Sequence, residues 1–462
     1  MSIRDCLNID RKELNEYAFR YFGLLMICIM TFGSYYIYDI PSALTQATVD
    51  EWYGINKIQF ALLYSVYNFP NTVIVFFGGF FIDTIFGLKL GSLLFCTLVL
   101  AGQVIFSFSA SYKLFWMALL GRTIFGLGGE SLSVAQSTFC ATWFNGRSDL
   151  NFAFSVTLGF SRIGSAVNFQ VTDHLSTRYG VPTAVWFGAI CCAISFAGTI
   201  VLCFAEMARA KRDPKVVVKN DPVSIKDVTK FPRTVWIIFA VVVFFYVPLF
   251  VYVSIAPTFL QTRFNVSKGV ADTLTSIPYY TAAPSPVIGF LIDRFGRNLT
   301  WMTGSMILMV TAHTILGFTM VSPYVGMIMM GFSYAIMAAS LWPTIPVLIP
   351  GIRLGTAYGL AFAFQNAAVA LSGLAVNAIL QKTNNYHYTE GFFIAFAAVG
   401  LALVILMVFI DLKEQKLNIP AAAMKEHIRI LNKKTDLLED SSINERSPLV
   451  DQQDVDEDVD SN

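Results

Sequence analysis

Gly289-Phe-Leu-Ile-Asp293-Arg294-Phe-Gly296-Arg297 is a short charged turn set between two long apolar runs. An eroded copy, Gly79-Phe-Phe-Ile-Asp83-Thr-Ile-Phe-Gly87-Leu-Lys89, occupies the equivalent place earlier in the chain. Each copy follows the second long apolar segment of its half, so the chain reads as a doubled membrane unit. A repeat of that kind implies two halves that rock about a shared site at the bilayer midplane.

The 462 residues are 55% hydrophobic and 14% charged, with a mean hydropathy of +0.59. That leaves too little polar material to cover a water-soluble globule of this size, so lipid is the expected solvent. A helix needs about 20 apolar residues to cross the roughly 30 Å hydrocarbon layer, where an unpaired backbone group is prohibitively costly. Twelve runs satisfy this, at 20–40, 58–82, 88–110, 114–138, 151–172 and 182–206, then at 234–256, 272–293, 299–320, 324–350, 355–380 and 391–411. The expected fold is therefore an all-α polytopic membrane protein with twelve transmembrane helices in two six-helix bundles.

Residues 1–19 form a polar N-terminal tail, 20–206 the first bundle, 207–233 a basic linker, 234–411 the second bundle and 412–462 a largely disordered tail. The net charge of only +1 offers nothing for a nucleic acid to bind, so the distribution of charge is what informs. Most of the 32 Lys and Arg, including Arg209, Lys211, Arg212 and Lys215 of the linker, share one side when both termini are cytosolic. The charged N-terminus and the absence of a small-residue cleavage site exclude a removed signal peptide. None of the seven cysteines is placed for a luminal disulfide. No nucleotide loop, metal-ligand cluster or nucleophile constellation is visible, so neither an enzyme nor a cofactor is expected.

The Asp293-Arg294-x-Gly296-Arg297 turn resembles the signature loop of the major facilitator superfamily, in which a glycine lets helices approach and the Asp pairs with basic groups across a helix end. A charge at a helix terminus is worth about 0.3–1 kcal/mol when exposed, enough to bias a gate without locking it. Asp83, Asp293, Arg294 and Arg297 are the gating candidates. A second signature, Arg122-Thr-Ile-Phe-Gly126-Leu-Gly128-Gly129, matches the superfamily pattern Arg-x-x-x-Gly-x-Gly. Its glycines permit close helix contact in lipid, and Arg122 is assigned to packing and gating.

Further stretches narrow the resemblance: Ser34-Tyr35-Tyr36-Ile-Tyr38-Asp39-Ile-Pro41, Gly128-Gly129-Glu130-Ser131-Leu-Ser-Val-Ala-Gln136, Ser161-Arg162-Ile-Gly164-Ser165 and Leu354-Gly355-Thr356-Ala357-Tyr358-Gly359. Together, over about residues 20–410, they resemble the major facilitator superfamily domain-containing protein 1 family. The resemblance implies export of dipeptides from lysosomes by facilitated uniport, with preference for those containing Lys, Arg or His. It also implies a partner, a heavily glycosylated single-span lysosomal membrane protein that shields the transporter's luminal face.

The residues themselves point the same way. Glu130 and Arg162 fall near the middle of the fourth and fifth helices, where ionisable groups are costly unless paired or wet. In the substrate reading, Arg162 binds a carboxylate through its planar fork and Glu130 binds an ammonium, as opposite poles for a zwitterion. The structural alternative is a salt bridge between the two helices. Tyr38 and Asp39 join the substrate-binding set through the family resemblance; Tyr35, Tyr246, Tyr252, Tyr279, Tyr280 and Trp342 are further cavity candidates. His313 is a histidine at membrane depth, open to two readings, a helix-to-helix hydrogen bond or a proton sensor.

In the tail, Glu445-Arg446-Ser447-Pro448-Leu449-Val450 resembles the acidic dileucine signal read by clathrin adaptors, with Val450 departing from the usual second Leu or Ile. Glu445, Leu449 and Val450 are its key positions, and they imply sorting to the lysosomal membrane. Two other functions stay open: a proton-coupled carrier of sugars or organic anions, and a non-transporting nutrient sensor that signals through the tail.

Asn265-Val-Ser267 is a sequon in a short luminal turn with little room for the glycosylation machinery. The expressed protein is predicted to show no mobility shift on glycosidase treatment, and Asn265→Gln to migrate as wild type.

Overall fold

The computed structural model describes residues 11–44, 46–212, 225–349, 351–383 and 385–423. Each of the twelve apolar runs is helical. The first half holds α1 (Arg11–Tyr38), two short helices α2 (Ile40–Ala43) and α3 (Gln46–Tyr53), then α4 (Lys57–Phe81), α5 (Gly87–Tyr112), α6 (Phe115–Phe144), α7 (Leu150–Tyr179) and α8 (Val181–Arg212). The second half holds α9 (Arg233–Phe264), α10 (Lys268–Ala282), α11 (Ser285–Phe295), α12 (Asn298–Phe318), α13 (Pro323–Leu341), α14 (Ile345–Leu348), α15 (Leu354–Thr383) and α16 (Tyr386–Glu414). Among the described residues, eight helical stretches are long and apolar enough to cross a membrane, and one of them, Leu62–Tyr112, runs through both α4 and α5.

Two runs that read as single helices are broken. The run 272–293 divides into α10 and α11 around Ala283 and Pro284, and 324–350 divides at Trp342–Thr344 into α13 and α14. Pro284, Pro343 and Pro346 each lack an N–H for the helical ladder, and a proline ring clashes with the carbonyl one turn back. Beyond 411, α16 continues to Glu414 and the chain then folds back on itself. Asp411 accepts hydrogen bonds from the backbone N–H groups of Lys416, Leu417 and Asn418 at 2.7–3.1 Å. Asn418 Oδ1 accepts from the backbone N–H and hydroxyl of Thr300, and the Arg297 N–H donates to the Ile419 carbonyl at 2.9 Å. The segment thereby braces the turn between α11 and α12, where Gly296 adopts φ +74° beside Ala421, a backbone conformation suited to glycine.

Within the first half, α1 packs on α7 and α8, α4 on α6, and α5 on α6 and α8; the second half pairs α12 with α13 and α16, and α9 with α15 and α16. Small residues set the closest approaches, as expected where no hydrophobic force drives helices together in lipid. A Cβ on Gly102 would lie 2.7 Å from the Gly121 carbonyl oxygen, so α5 and α6 touch backbone to backbone.

The halves meet along α4 with α15 and along α7 with α11. Glycines from the two repeat copies make both contacts. A Cβ on Gly79 would fall 2.1 Å from the Gly355 oxygen, and one on Gly289 would fall 2.2 Å from Ser155 Oγ and 2.7 Å from the Asn151 oxygen. Both contacts lie at the end of the bundle that carries the linker and the 411–423 brace, here called the linker face.

Because the obstruction at Gly79 is backbone rather than a movable side chain, Gly79→Val is predicted to part α4 from α15. Overpacking of this kind costs about 1–3 kcal/mol. Thermal unfolding in detergent should show a lowered Tm, and the amides of Gly355 and Thr356 should exchange hydrogen faster than in wild type.

Candidate functional site

Asp83 lies in a single π-helical turn, Ile82–Phe86, that links α4 to α5. Its carboxylate accepts from the backbone N–H of Gly355 at 3.1 Å and from the N–H and hydroxyl of Thr356 at 2.6 and 2.7 Å. Asp293, at the end of α11, accepts from the Asn151 N–H at 3.1 Å, the Asn151 side-chain amide at 2.7 Å and the Phe152 N–H at 2.7 Å. Each carboxylate caps the first turn of the fifth long helix of the opposite half, α15 or α7. Those N–H groups have no partner within their own helix, and the helix dipole favours a negative charge there.

The expectation that the aspartates pair with basic side chains is thereby corrected: their partners are helix N-termini. Arg294 and Arg297 are exposed. Arg297 enters the structure through its backbone, with φ +62° and the N–H bond to Ile419. Neighbouring bonds widen the seam. Asn298 Nδ2 reaches Asn151 Oδ1 at 2.7 Å, Ser285 Oγ reaches the Ser155 carbonyl at 2.9 Å, and Asn145 Nδ2 reaches the Pro346 carbonyl at 3.0 Å.

Arg122 is only 1% exposed. It donates to the carbonyls of Leu63, Ile37 and Tyr38 at 3.0–3.1 Å, and the rings of Tyr38, Tyr64, Tyr67 and Phe125 surround its guanidinium at 5.3–5.7 Å. All these partners belong to the first half. Arg122 pins the end of α1, where the chain breaks at Asp39 ahead of Pro41, and any influence on gating passes through that pinned end.

Tyr38 and Asp39, at the break, are partly accessible. Asp39 lies in the field of both Arg162 and Arg122. The Tyr38 ring packs edge-on against Tyr67 and Tyr64, at 5.0 and 5.8 Å.

Glu130 and Arg162 are half-buried rather than sealed. Among the described residues they do not form an ion pair with each other. Glu130 accepts from the Tyr67 hydroxyl at 3.2 Å. Arg162 donates through Nη2 to the Tyr334 hydroxyl, its guanidinium lies 5.1 Å from the Tyr279 ring centre and 5.2 Å from that of Tyr334, and its buried Nε has no partner. Tyr35 lies within electrostatic range of both poles and contacts Ser133 at 3.4 Å. Two opposite charges, each held by a neutral hydroxyl, can receive the two ends of a zwitterion without first breaking an ion pair.

Among the other aromatic candidates, the Trp342 indole donates to the Tyr246 hydroxyl at 2.9 Å, and Tyr246 packs against Tyr334 with ring centres 6.2 Å apart. Tyr280 is 56% exposed on the outer surface. Tyr252 is buried, edge-on to His313 at 5.2 Å. His313 Nδ1 meets Glu390 Oε2 at 2.8 Å, with both side chains at 0% exposure. Three polar side chains of these clusters escaped the sequence reading. Tyr67 and Tyr334 look like ordinary packing in apolar runs, and Glu390 stands one residue outside the run that begins at 391. Glu445, Leu449 and Val450 lie outside the described residues.

The sequence matches the model of the Major Facilitator Superfamily over residues 24–373, with a second match over 251–449. It is 35% identical over 408 residues to the lysosomal dipeptide transporter MFSD1 of Bos taurus, covering 85% of this chain and 86% of that protein. It is 35% identical to the protein of the same name in Danio rerio, covering 90% and 92%, and in Homo sapiens, covering 85% and 87%. The chain belongs to the Major Facilitator Superfamily and, within it, to the MFSD1 family.

Solved superfamily structures share the fold at low identity. The transporter FucP in its outward conformation aligns with a TM-score of 0.65 at 15% identity, over 83% of this chain and 98% of that one. The human organic anion transporter MFSD10 aligns with a TM-score of 0.60 at 14% identity, over 84% and 99%. A superfamily member is a carrier and not an enzyme.

Asp83→Ala and Asp293→Ala each strand two helix-terminal N–H groups. A buried donor left unpaired costs about 1–3 kcal/mol. Each variant is predicted to raise opening at the linker face by roughly 5- to 150-fold, read as faster hydrogen exchange at Gly355 and Thr356 in the first variant and at Asn151 and Phe152 in the second.

Proposed function

We propose that this chain is a lysosomal dipeptide uniporter that carries its substrate from lumen to cytosol by alternating access. The observation that carries the reading is the separate tenure of Glu130 and Arg162, which hold tyrosines instead of each other in a partly accessible interior. Glu130 takes the substrate ammonium and Arg162 its carboxylate. Each added residue lengthens an extended backbone by about 3.3–3.6 Å, so poles at a fixed separation distinguish a dipeptide from a free amino acid. Asp39 and the rings of Tyr38 and Tyr279 offer a cationic side chain both a charge and π faces, in keeping with a preference for Lys-, Arg- or His-containing dipeptides. The names of the MFSD1 relatives agree on substrate class and compartment.

Gating follows from the crossed caps. With Asp83 on α15 and Asp293 on α7, the linker face is shut, and binding between the poles must favour the arrangement in which those caps release. The basic linker supports a cytosolic placement of that face and of both termini. A heavily glycosylated single-span lysosomal partner would protect the short luminal turns. Clathrin adaptors would read Glu445, Leu449 and Val450.

The sealed His313–Glu390 pair favours a second reading, proton-coupled transport, because such a pair can hold a proton in a site that excludes water. One assay separates the two. Protein reconstituted in liposomes without a pH gradient should give saturable uptake of a His- or Lys-containing dipeptide, uncompeted by its free amino acids. Uptake that appears only with an imposed gradient would favour the second reading. Glu130→Gln and Arg162→Ala each remove a charge-assisted contact worth about 1.5–3 kcal/mol, so dipeptide affinity should fall roughly 10- to 100-fold in either variant.

A further inference from the structure

The Arg162–Tyr334 bond crosses between the halves, from α7 in the first to α13 in the second. Tyr334 is only 2% exposed, and the rings of Tyr246 and Phe250, both 6.2 Å away, fix its direction. Its hydroxyl is thus presented to Arg162 by a packed wall rather than by a mobile side chain. The guanidinium lies against two rings of the second half, Tyr279 and Tyr334, and its buried Nε is unused. Nε and Nη2 together form one of the two-pronged edges with which arginine holds a carboxylate. One prong is occupied by Tyr334 and the other is vacant.

A uniporter must cross the membrane barrier loaded in one direction and empty in the other. Loaded, the Arg162 charge is balanced by substrate. Empty, the same charge must pass through an occluded state with little water, where an unpaired ion is severely penalised. We infer that Tyr334 is the stand-in for the substrate carboxylate in the empty carrier, holding Arg162 across the interface so that the return step proceeds without cargo. The inference rests on the reading of Arg162 as the carboxylate pole. Substrate takes the vacant prong first and then displaces the phenol, so Tyr334 competes with cargo and does not bind it.

Tyr334→Phe keeps the ring packing and deletes the hydroxyl. In proteoliposomes, net dipeptide uptake into empty vesicles requires the empty return and should fall at least tenfold. Counterflow exchange into vesicles preloaded with the same dipeptide, in which both crossings are loaded, should stay within about twofold of wild type, and dipeptide affinity should be unchanged or tighter. Equal loss of net uptake and exchange, or no loss of either, would overturn the inference. A substrate-free readout stands beside it: in the empty protein, exchange of the Phe152 and Thr356 amides, which requires the crossed caps to part, should slow in Tyr334→Phe. Unchanged exchange there would overturn the role of Tyr334 whatever the cargo. Absence of dipeptide flux in wild type would instead overturn the reading of the site.

Discussion

Two carboxylates capping two helix N-termini, each across the boundary between halves, are the constraint on which the rest of the molecule depends. A carboxylate that accepts two bonds from backbone N–H groups and a third from a side chain is held firmly, yet it keeps no covalent or tightly interlocked connection to the opposite half. Such a contact can be made and broken in one piece. The glycines that precede Asp83 and Asp293 by four residues lie one helical turn away and bring the helix backbones near enough for the caps to form. Closure therefore depends jointly on the absence of side chains at Gly79 and Gly289 and on the charge one turn later.

Above this seam the two arginines have different surroundings. Arg122 is spent on first-half carbonyls and aromatic rings, and holds the broken end of α1 in place. Arg162, at the contact between the halves, is left with a neutral partner from the other half. Two arginines in adjacent helices of one sequence thus have different partners, carbonyls and rings of one half for Arg122 and a hydroxyl of the other half for Arg162. The difference lies in what faces each guanidinium, since the residue type is the same.

Much of this was legible in the chain. Span length and hydropathy located the twelve helical runs, and the repeated Gly-x-x-x-Asp marked both carboxylates of the seam between the halves, because those patterns are local and lipid tolerates few alternatives. The helix breaks at Pro284 and Pro343 were written in the sequence but masked by the continuity of the apolar runs around them. The partners of Asp83 and Asp293 were not legible, because a cap is made by backbone groups of a distant segment and backbone groups carry no letter in the sequence. Tyr334 was hidden for a related reason: a lone tyrosine among apolar residues acquires meaning only when the packing of α7 on α13 brings Arg162 to its hydroxyl. Glu390 and His313 show the same dependence, each looking isolated until α12 and α16 are packed together.

The folded segment after Asp411 carries the body of the protein past its last long helix. Its bonds to Arg297 and Thr300 make residues 415–421 part of the turn that presents Asp293 to α7. A tail deletion made at 412 would strip a support from the seam between the halves and so would not probe the tail alone. A truncation or fusion point that keeps residues 415–421 leaves the brace intact.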